Sequence, residues 1–141
     1  MSRYLDTSVV IPLFVTEPTS EITVRWIGDG AHEMFIADLV ATEFHAVISR
    51  LIRKGVMPDE QAAAIRLQFD VWRDAAAEPL ENLPVDIRAA GMLVRTPQPK
   101  LLSADATHLA TCRRLGLVLV TYDADLQSVA EREGIPWECP A

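Results

Sequence analysis

No apolar run in this sequence approaches the ~20 residues that a transmembrane helix needs, and no basic-then-apolar leader occupies its N-terminus. Both absences point to a cytoplasmic protein with no membrane partner. Cysteine is almost missing: Cys112 and Cys139 lie far apart without metal-ligand spacing, and read as two thiols, not as a disulfide. Positive charge is scarce as well. Thirteen Lys and Arg face 20 Asp and Glu, and a net charge of −7 excludes unaided electrostatic capture of nucleic acid. If the substrate is a polyanion, bound cations must supply part of the attraction. There is no glycine-rich phosphate loop, no serine in the strand–turn setting of a nucleophile elbow, and no zinc spacing among the three histidines. His45 and His108 therefore read as helix-surface residues or as supports behind a site. Nothing in the 141 residues resembles a linker or a repeat, so a single domain over 1–141 is expected.

What is present is organised around the stretch from Ser103 to Leu126. Ala106, Leu109 and Ala110 recur at helical spacing, Ser103 is a candidate N-cap, and Gly116 stands where a left-handed helix cap belongs. Leu117 to Val120 is a short continuous apolar run, as in a strand covered on both faces of a parallel sheet. A polar break at Thr121, Tyr122 and Asp123 opens another helix. Such a helix runs antiparallel to the strand that follows it, so Asp105 and Asp123 both fall on the carboxyl edge of the sheet, where open α/β sheets place ligands.

In chain order, Arg3 to Asp6 reads as a first strand with Asp6 at its carboxyl end; an Asx-type turn is the alternative role for that residue. A helix opens at Pro18 to Glu21 and ends near Gly28. Glu33 to Ala37 is a second strand, and Asp38 is expected to cap a helix running to Lys54, with Val40, Phe44, Val47 and Leu51 as its apolar stripe and Gly55 as its stop. Glu43 lies on the border of that stripe without a basic residue three or four positions away, so its carboxylate needs a partner from elsewhere or water. Pro58 opens a further helix with Ala62, Ile65, Phe69 and Trp72 at helical spacing, forming a hairpin with the one before. Pro79 to Leu83 is a weak strand, Val85 to Val94 a helix, and Gly134 to Trp137 leads into a last strand.

This alternation specifies an α/β/α sandwich with a mostly parallel sheet of four or five strands. Asp6, Glu43, Asp105 and Asp123 all fall at its carboxyl edge. Four converging carboxylates raise each other's pKa values unless a counter-charge is supplied, and a hard divalent cation resolves that conflict. Oxygen-only ligation fits Mg²⁺ or Mn²⁺ better than zinc.

The order and spelling of these motifs resemble the PIN-domain ribonucleases, in particular the VapC toxins of toxin–antitoxin modules. Tyr4-Leu-Asp-Thr-Ser8 is similar to the family's opening strand and first acid, and Glu43 to its helical glutamate. Ser103-Ala-Asp-Ala-Thr-His-Leu-Ala110 carries the third acid and Thr121-Tyr-Asp-Ala-Asp-Leu126 the last. Thr107 departs from the pattern, standing where an apolar residue is common. The resemblance implies an Mg²⁺-dependent endoribonuclease with Asp6, Glu43, Asp105 and Asp123 as catalytic residues. Asp6, Asp105 and Asp123 would be metal ligands, and Glu43 would ligate or position the attacking water. Ser8 and Thr121 would orient the site or cap backbone, and Asp125 would assist the metal or remain a solvated first-turn carboxylate. It further implies RNA as substrate, a cognate antitoxin protein as partner, and a homodimer.

Rival readings fare worse on the residues. An aspartyl phosphotransferase would place a second acid two positions after Asp6, where Ser8 stands. A receiver-like domain would carry a lysine after a late strand, where the chain has Thr121-Tyr-Asp123. A PIN-like binding module that uses the acids only to grip a basic partner is the remaining alternative. Six basic residues are available for phosphate: Arg50, Arg53, Lys54, Lys100, Arg113 and Arg114, with Lys100 expected nearest the site.

Overall fold

A computed structural model describes residues 1–30 and 32–141. Five strands, β1 (Arg3–Leu5), β2 (Met34–Ala37), β3 (Glu78–Leu80), β4 (Val118–Val120) and β5 (Trp137–Glu138), form one sheet in the order β3-β2-β1-β4-β5. Every pairing is parallel, with Tyr4 opposite Phe35 on one side and Leu119 on the other. Among the described residues seven α-helices connect them: α1 (Thr7–Val10), α2 (Ser20–Asp29), α3 (Asp38–Arg53), α4 (Asp59–Ala76), α5 (Pro84–Leu93), α6 (Ser103–Leu115) and α7 (Ala124–Arg132). Tyr4 and Leu5 point to opposite faces of the sheet, yet both are 0% exposed, so helices cover both faces. This is the sandwich anticipated from the sequence, with all five strands parallel.

The strand order places the site. From β1 the chain steps outward to β2 and β3, then returns to β4 on the other side of β1. The crevice beyond the carboxyl ends of β1 and β4 is therefore the topological switch point, where α/β sheets bind ligands. Asp6 follows β1, and Thr121 to Asp123 follow β4.

Around this crevice the core is dense. Phe44 of α3 stacks on Phe69 of α4 at 4.1 Å between ring centroids, and Phe14 meets both edge-on. The anticipated stripe of α3 is only half right. Val40 and Phe44 are buried, but Val47 and Leu51 are partly exposed, and Ile48 lies in the core with them. Helix α6 is buried continuously from Ala106 to Cys112, because α5 and the sheet enclose it.

Two expected caps are absent. Ser103 and Asp38 are the first helical residues, and Leu102 and Ala37 hold the N-cap positions in extended conformation without a side-chain bond. The carboxylate of Asp38 reaches the Arg73 guanidinium at 3.4 Å instead. Gly116 adopts the left-handed conformation expected of it (φ 66°), which lets its N–H donate to the carbonyl of Cys112. The weak strand expected over 79–83 lies at Glu78–Leu80, on the sheet edge, where the proline at 79 costs no ladder on its outer side. Thr107, the departure from the family pattern, is satisfied by donating to the Ser103 carbonyl at 2.9 Å.

Candidate active site

Each acid arrives by a different local route. Asp6 leaves β1 and caps α1, with 4% of its surface exposed. Its Oδ2 accepts from Ser8 Oγ at 2.7 Å and Thr121 Oγ1 at 2.8 Å. Those two hydroxyls in turn accept the backbone N–H groups of Tyr122 and Asp123, at 3.1 and 3.0 Å. Ser8 and Thr121 thus stitch the end of β1 to the end of β4 and fix the Asp6 carboxylate. They do both things that the sequence left open, capping backbone and orienting an acid.

Glu43, in the second turn of α3, finds its partners across the fold. Thr7 Oγ1 donates to its Oε1 at 2.9 Å, and so does Nε2 of His108. His108 is 0% exposed, and its Nδ1 is hydrogen-bonded to the hydroxyl of Tyr4, which also accepts from Asn82 Nδ2 at 3.3 Å. Burial works to keep His108 neutral. The hydrogen bond to Glu43 and the charges of Asp6, Glu43 and Asp105 outweigh it, and the pKa is raised. For Glu43 burial acts upward, but His108 and Thr7 prevail and hold the carboxyl below its ordinary value.

Asp105 projects from the first turn of α6 and accepts no hydrogen bond among the described residues. Burial first, then the charges of Asp6, Glu43 and Asp123 against the opposing effect of His108, push its pKa from 3.8 to about 6. Burial makes the larger part of that shift, and the neighbouring carboxylates add to it. Asp123 stands at the exposed rim and acts on Asp105 from there, while its Oδ1 caps α7 through the N–H groups of Asp125 and Leu126 at 2.9 and 3.1 Å. Asp125 is exposed in the first turn of α7.

The donor set fits a hard divalent cation. Asp6, Glu43 and His108 each offer an atom within 4.8 Å of the others. Both His108 nitrogens are already hydrogen-bonded, to Glu43 and to Tyr4, and among the described residues Asp105 and Asp123 fall outside this group of three. Among the described residues Asp6 Oδ1, Glu43 Oε2, both oxygens of Asp105 and Asp123 Oδ2 accept no hydrogen bond. His108, which the sequence left as a helix-surface residue or a support behind a site, is buried and stands behind Glu43. It stands three positions beyond Asp105 on α6, nearly one turn, and that spacing was its only local signal.

Residues 3–132 match the PIN domain family, and the chain belongs to it. It is 31% identical to Ribonuclease VapC35 of Mycobacterium tuberculosis over 91% of its own length and 89% of that protein's. It is 28% identical to Ribonuclease VapC46 of the same organism over 98% and 97% of the two chains. Within the PIN family, then, its relatives are the VapC ribonucleases. The fold is that of VapC20 of Mycobacterium tuberculosis, a sarcin–ricin loop cleaving toxin (TM-score 0.72, 18% identity, 90% and 94% of the chains covered). It is also that of a DNA-bound VapBC from Salmonella typhimurium (TM-score 0.69, 19% identity, 100% and 99% covered). PIN membership and the acid cluster together make this a divalent-metal site. No helix among the described residues is long and apolar enough to cross a membrane.

Proposed function

We propose that this chain is an endoribonuclease that hydrolyses RNA phosphodiester bonds as the toxin of a toxin–antitoxin pair, with Asp6, Glu43, Asp105 and Asp123 as its catalytic residues. The observation that carries the reading is the convergence of Asp6, Glu43 and His108 within 4.8 Å of one another at the switch point of the sheet, with Asp105 pushed to about 6 by burial first and then by the acids near it. A cluster kept at that electrostatic cost is suited to a cation and, through it, to a phosphodiester. Oxygen-only donors favour Mg²⁺ or Mn²⁺, held by Asp6, Asp105 and Asp123. When bound, such an ion acidifies a coordinated water and neutralises charge on the non-bridging phosphate oxygens.

The chain's own residues do the positioning. Ser8 and Thr121 fix the Asp6 carboxylate, and Asp125 remains at the rim. His108 and Thr7 hold Glu43 ionised with one oxygen free to orient the attacking water. That water's oxygen bonds to phosphorus as the bond to the departing ribose oxygen breaks. The relatives' designation as ribonucleases and the solved antitoxin complexes of the same fold support RNA as substrate and a cognate antitoxin as partner. We extend the reading to a homodimer of single-domain chains spanning 1–141, acting in the cytoplasm where its RNA is found.

The deciding experiment incubates purified chain with single-stranded RNA in Mg²⁺, in Mn²⁺ and in excess chelator, beside Asp6→Asn and Asp105→Asn. Cleavage that needs the metal and both acids supports the reading. RNA left intact by the parent protein would mark the chain as a binding module instead.

A further inference from the structure

A polyanionic strand approaching a chain of net charge −7 needs local cations beside the acids, and the structure narrows which they are. Arg113 and Arg114 are taken, by Glu133 at 2.8 Å and Asp86 at 2.7 Å. Arg66 is spent on His45 and Ser49. Arg50 and Arg53 are exposed, and neither makes an ion pair among the described residues.

Both line a concavity of about 340 Å³ that has Glu43 and Thr7 in its wall. A second concavity, of about 360 Å³, adjoins it through Thr7, Val47 and Arg50, and carries Ser8 and Tyr122 on its other side. The Tyr122 hydroxyl is tied to Thr23 Oγ1 at 2.6 Å, which holds that wall in place. The second concavity also has Glu17 in its lining, and the cations of both concavities, Arg50 and Arg53, come from α3. Lys100, expected nearest the site, lines neither.

The geometry of α3 sets the spacing. Glu43, Val47, Arg50 and Arg53 follow one another at three- and four-residue steps and so share a helix face. At 1.5 Å per residue, Arg50 stands about 10 Å and Arg53 about 15 Å along the axis from Glu43. Those distances reach beyond the scissile phosphate to the next phosphates of the same strand.

We propose that Arg50 and Arg53 form a phosphate track that holds the single-stranded RNA beyond the cut site, running from Glu43 along the last turns of α3. This rests on the ribonuclease reading and names where its substrate lies. The arginines position the strand and take no part in bond breaking. They would therefore act on KM and salt dependence, and leave kcat alone.

The test compares the intact chain with Arg50→Ala/Arg53→Ala and Arg50→Lys/Arg53→Lys, on a single-stranded RNA of about twelve nucleotides and on a dinucleotide substrate. Removing two phosphate-binding side chains from a single-strand track should reduce the salt slope of log kcat/KM by about 1.4, so the parent's advantage shrinks about sevenfold between 50 and 200 mM salt. On the long RNA the alanine variant should show about tenfold higher KM in low salt at unchanged kcat. On the dinucleotide it should match the parent, and the lysine variant should recover most of the slope. The exposed positions make misfolding a minor risk, and an unchanged melting temperature checks it. If the parent cleaves but the alanine variant keeps the parent's KM and slope, the track is refuted and the ribonuclease reading stands. Loss of inhibition by a partner protein with RNA kinetics unchanged would assign the arginines to that protein and overturn the track. A parent with no RNA cleavage removes both readings.

Discussion

Replacing Asp105 by Asn separates the work of the site from the stability of the fold. The substitution keeps the shape and removes one charge, and Asp105 accepts no hydrogen bond among the described residues that would disappear with it. A rise of the pKa from 3.8 to about 6 corresponds to about 3 kcal/mol on a fully buried carboxyl. Asp105 keeps part of its surface in water, and screening lowers the figure to about 1–2 kcal/mol. The sign follows from proton linkage. The folded state binds this proton more tightly than the unfolded chain, so the favourable contribution is complete below pH ~4 and is lost as pH rises through about 6. Without metal, Asp105→Asn and the parent should melt together near pH 4, and the variant should melt about 3–8 °C higher above pH 7. Mg²⁺ should then raise the parent's melting temperature more than the variant's, since stabilisation follows affinity. Cleavage by the variant should fall by orders of magnitude. Thermal melts from pH 4 to 8 with and without Mg²⁺, beside a cleavage assay, measure all three. A variant that is less stable than the parent at pH 7 yet still cleaves would refute the reasoning and return Asp105 to a structural role.

Four further outcomes are expected. His108→Ala should lower cleavage and weaken Mn²⁺ binding, read by calorimetry, because Glu43 loses the donor that holds it; Thr7→Val should do so less. Asp86 is buried, and although burial acts upward its pKa is held low by Arg114, by the Leu83 N–H and by Thr111, so Asp86→Ala should cost about 2–4 kcal/mol in urea unfolding at pH 7. Because the folded pKa lies below the ordinary value, that advantage should be present above pH ~4 and vanish as pH falls further. Ca²⁺ should bind but support little cleavage, since its looser shell orients water less well, and full activity in excess chelator would exclude the metal mechanism. An antitoxin should inhibit by placing an arginine among the acids, where a guanidinium pairs bidentately with carboxylate; removing that arginine should restore cleavage in the complex.

How much of this was legible in the sequence depends on the range of the interaction. Helices and strands announce themselves through near neighbours, so the alternation of elements, the left-handed turn at Gly116 and the buried run of β4 could be read directly. Parallel topology then sent Asp6, Asp105 and Asp123 to one edge, because each stands at a fixed place relative to its strand or helix. Caps were less legible, since Ser103 and Leu102 differ by one residue of helical backbone that no side chain decides. Pairings between distant residues were invisible. Glu43 could be seen to lack a local partner, but only the tertiary fold, which brings α6 and α3 to the same crevice, delivers His108 to it, and only the sheet delivers Tyr4 behind His108. The same holds for charge. Composition announced a shortage of cations, but tertiary structure alone decided that Asp86 and Glu133 neutralise Arg114 and Arg113, while Arg50 and Arg53 line the concavity that has Glu43 in its wall, with no ion pair among the described residues. Local periodicity encodes which face of an element is buried; which buried or charged groups then meet is set by the three-dimensional closure of the sheet and its helices.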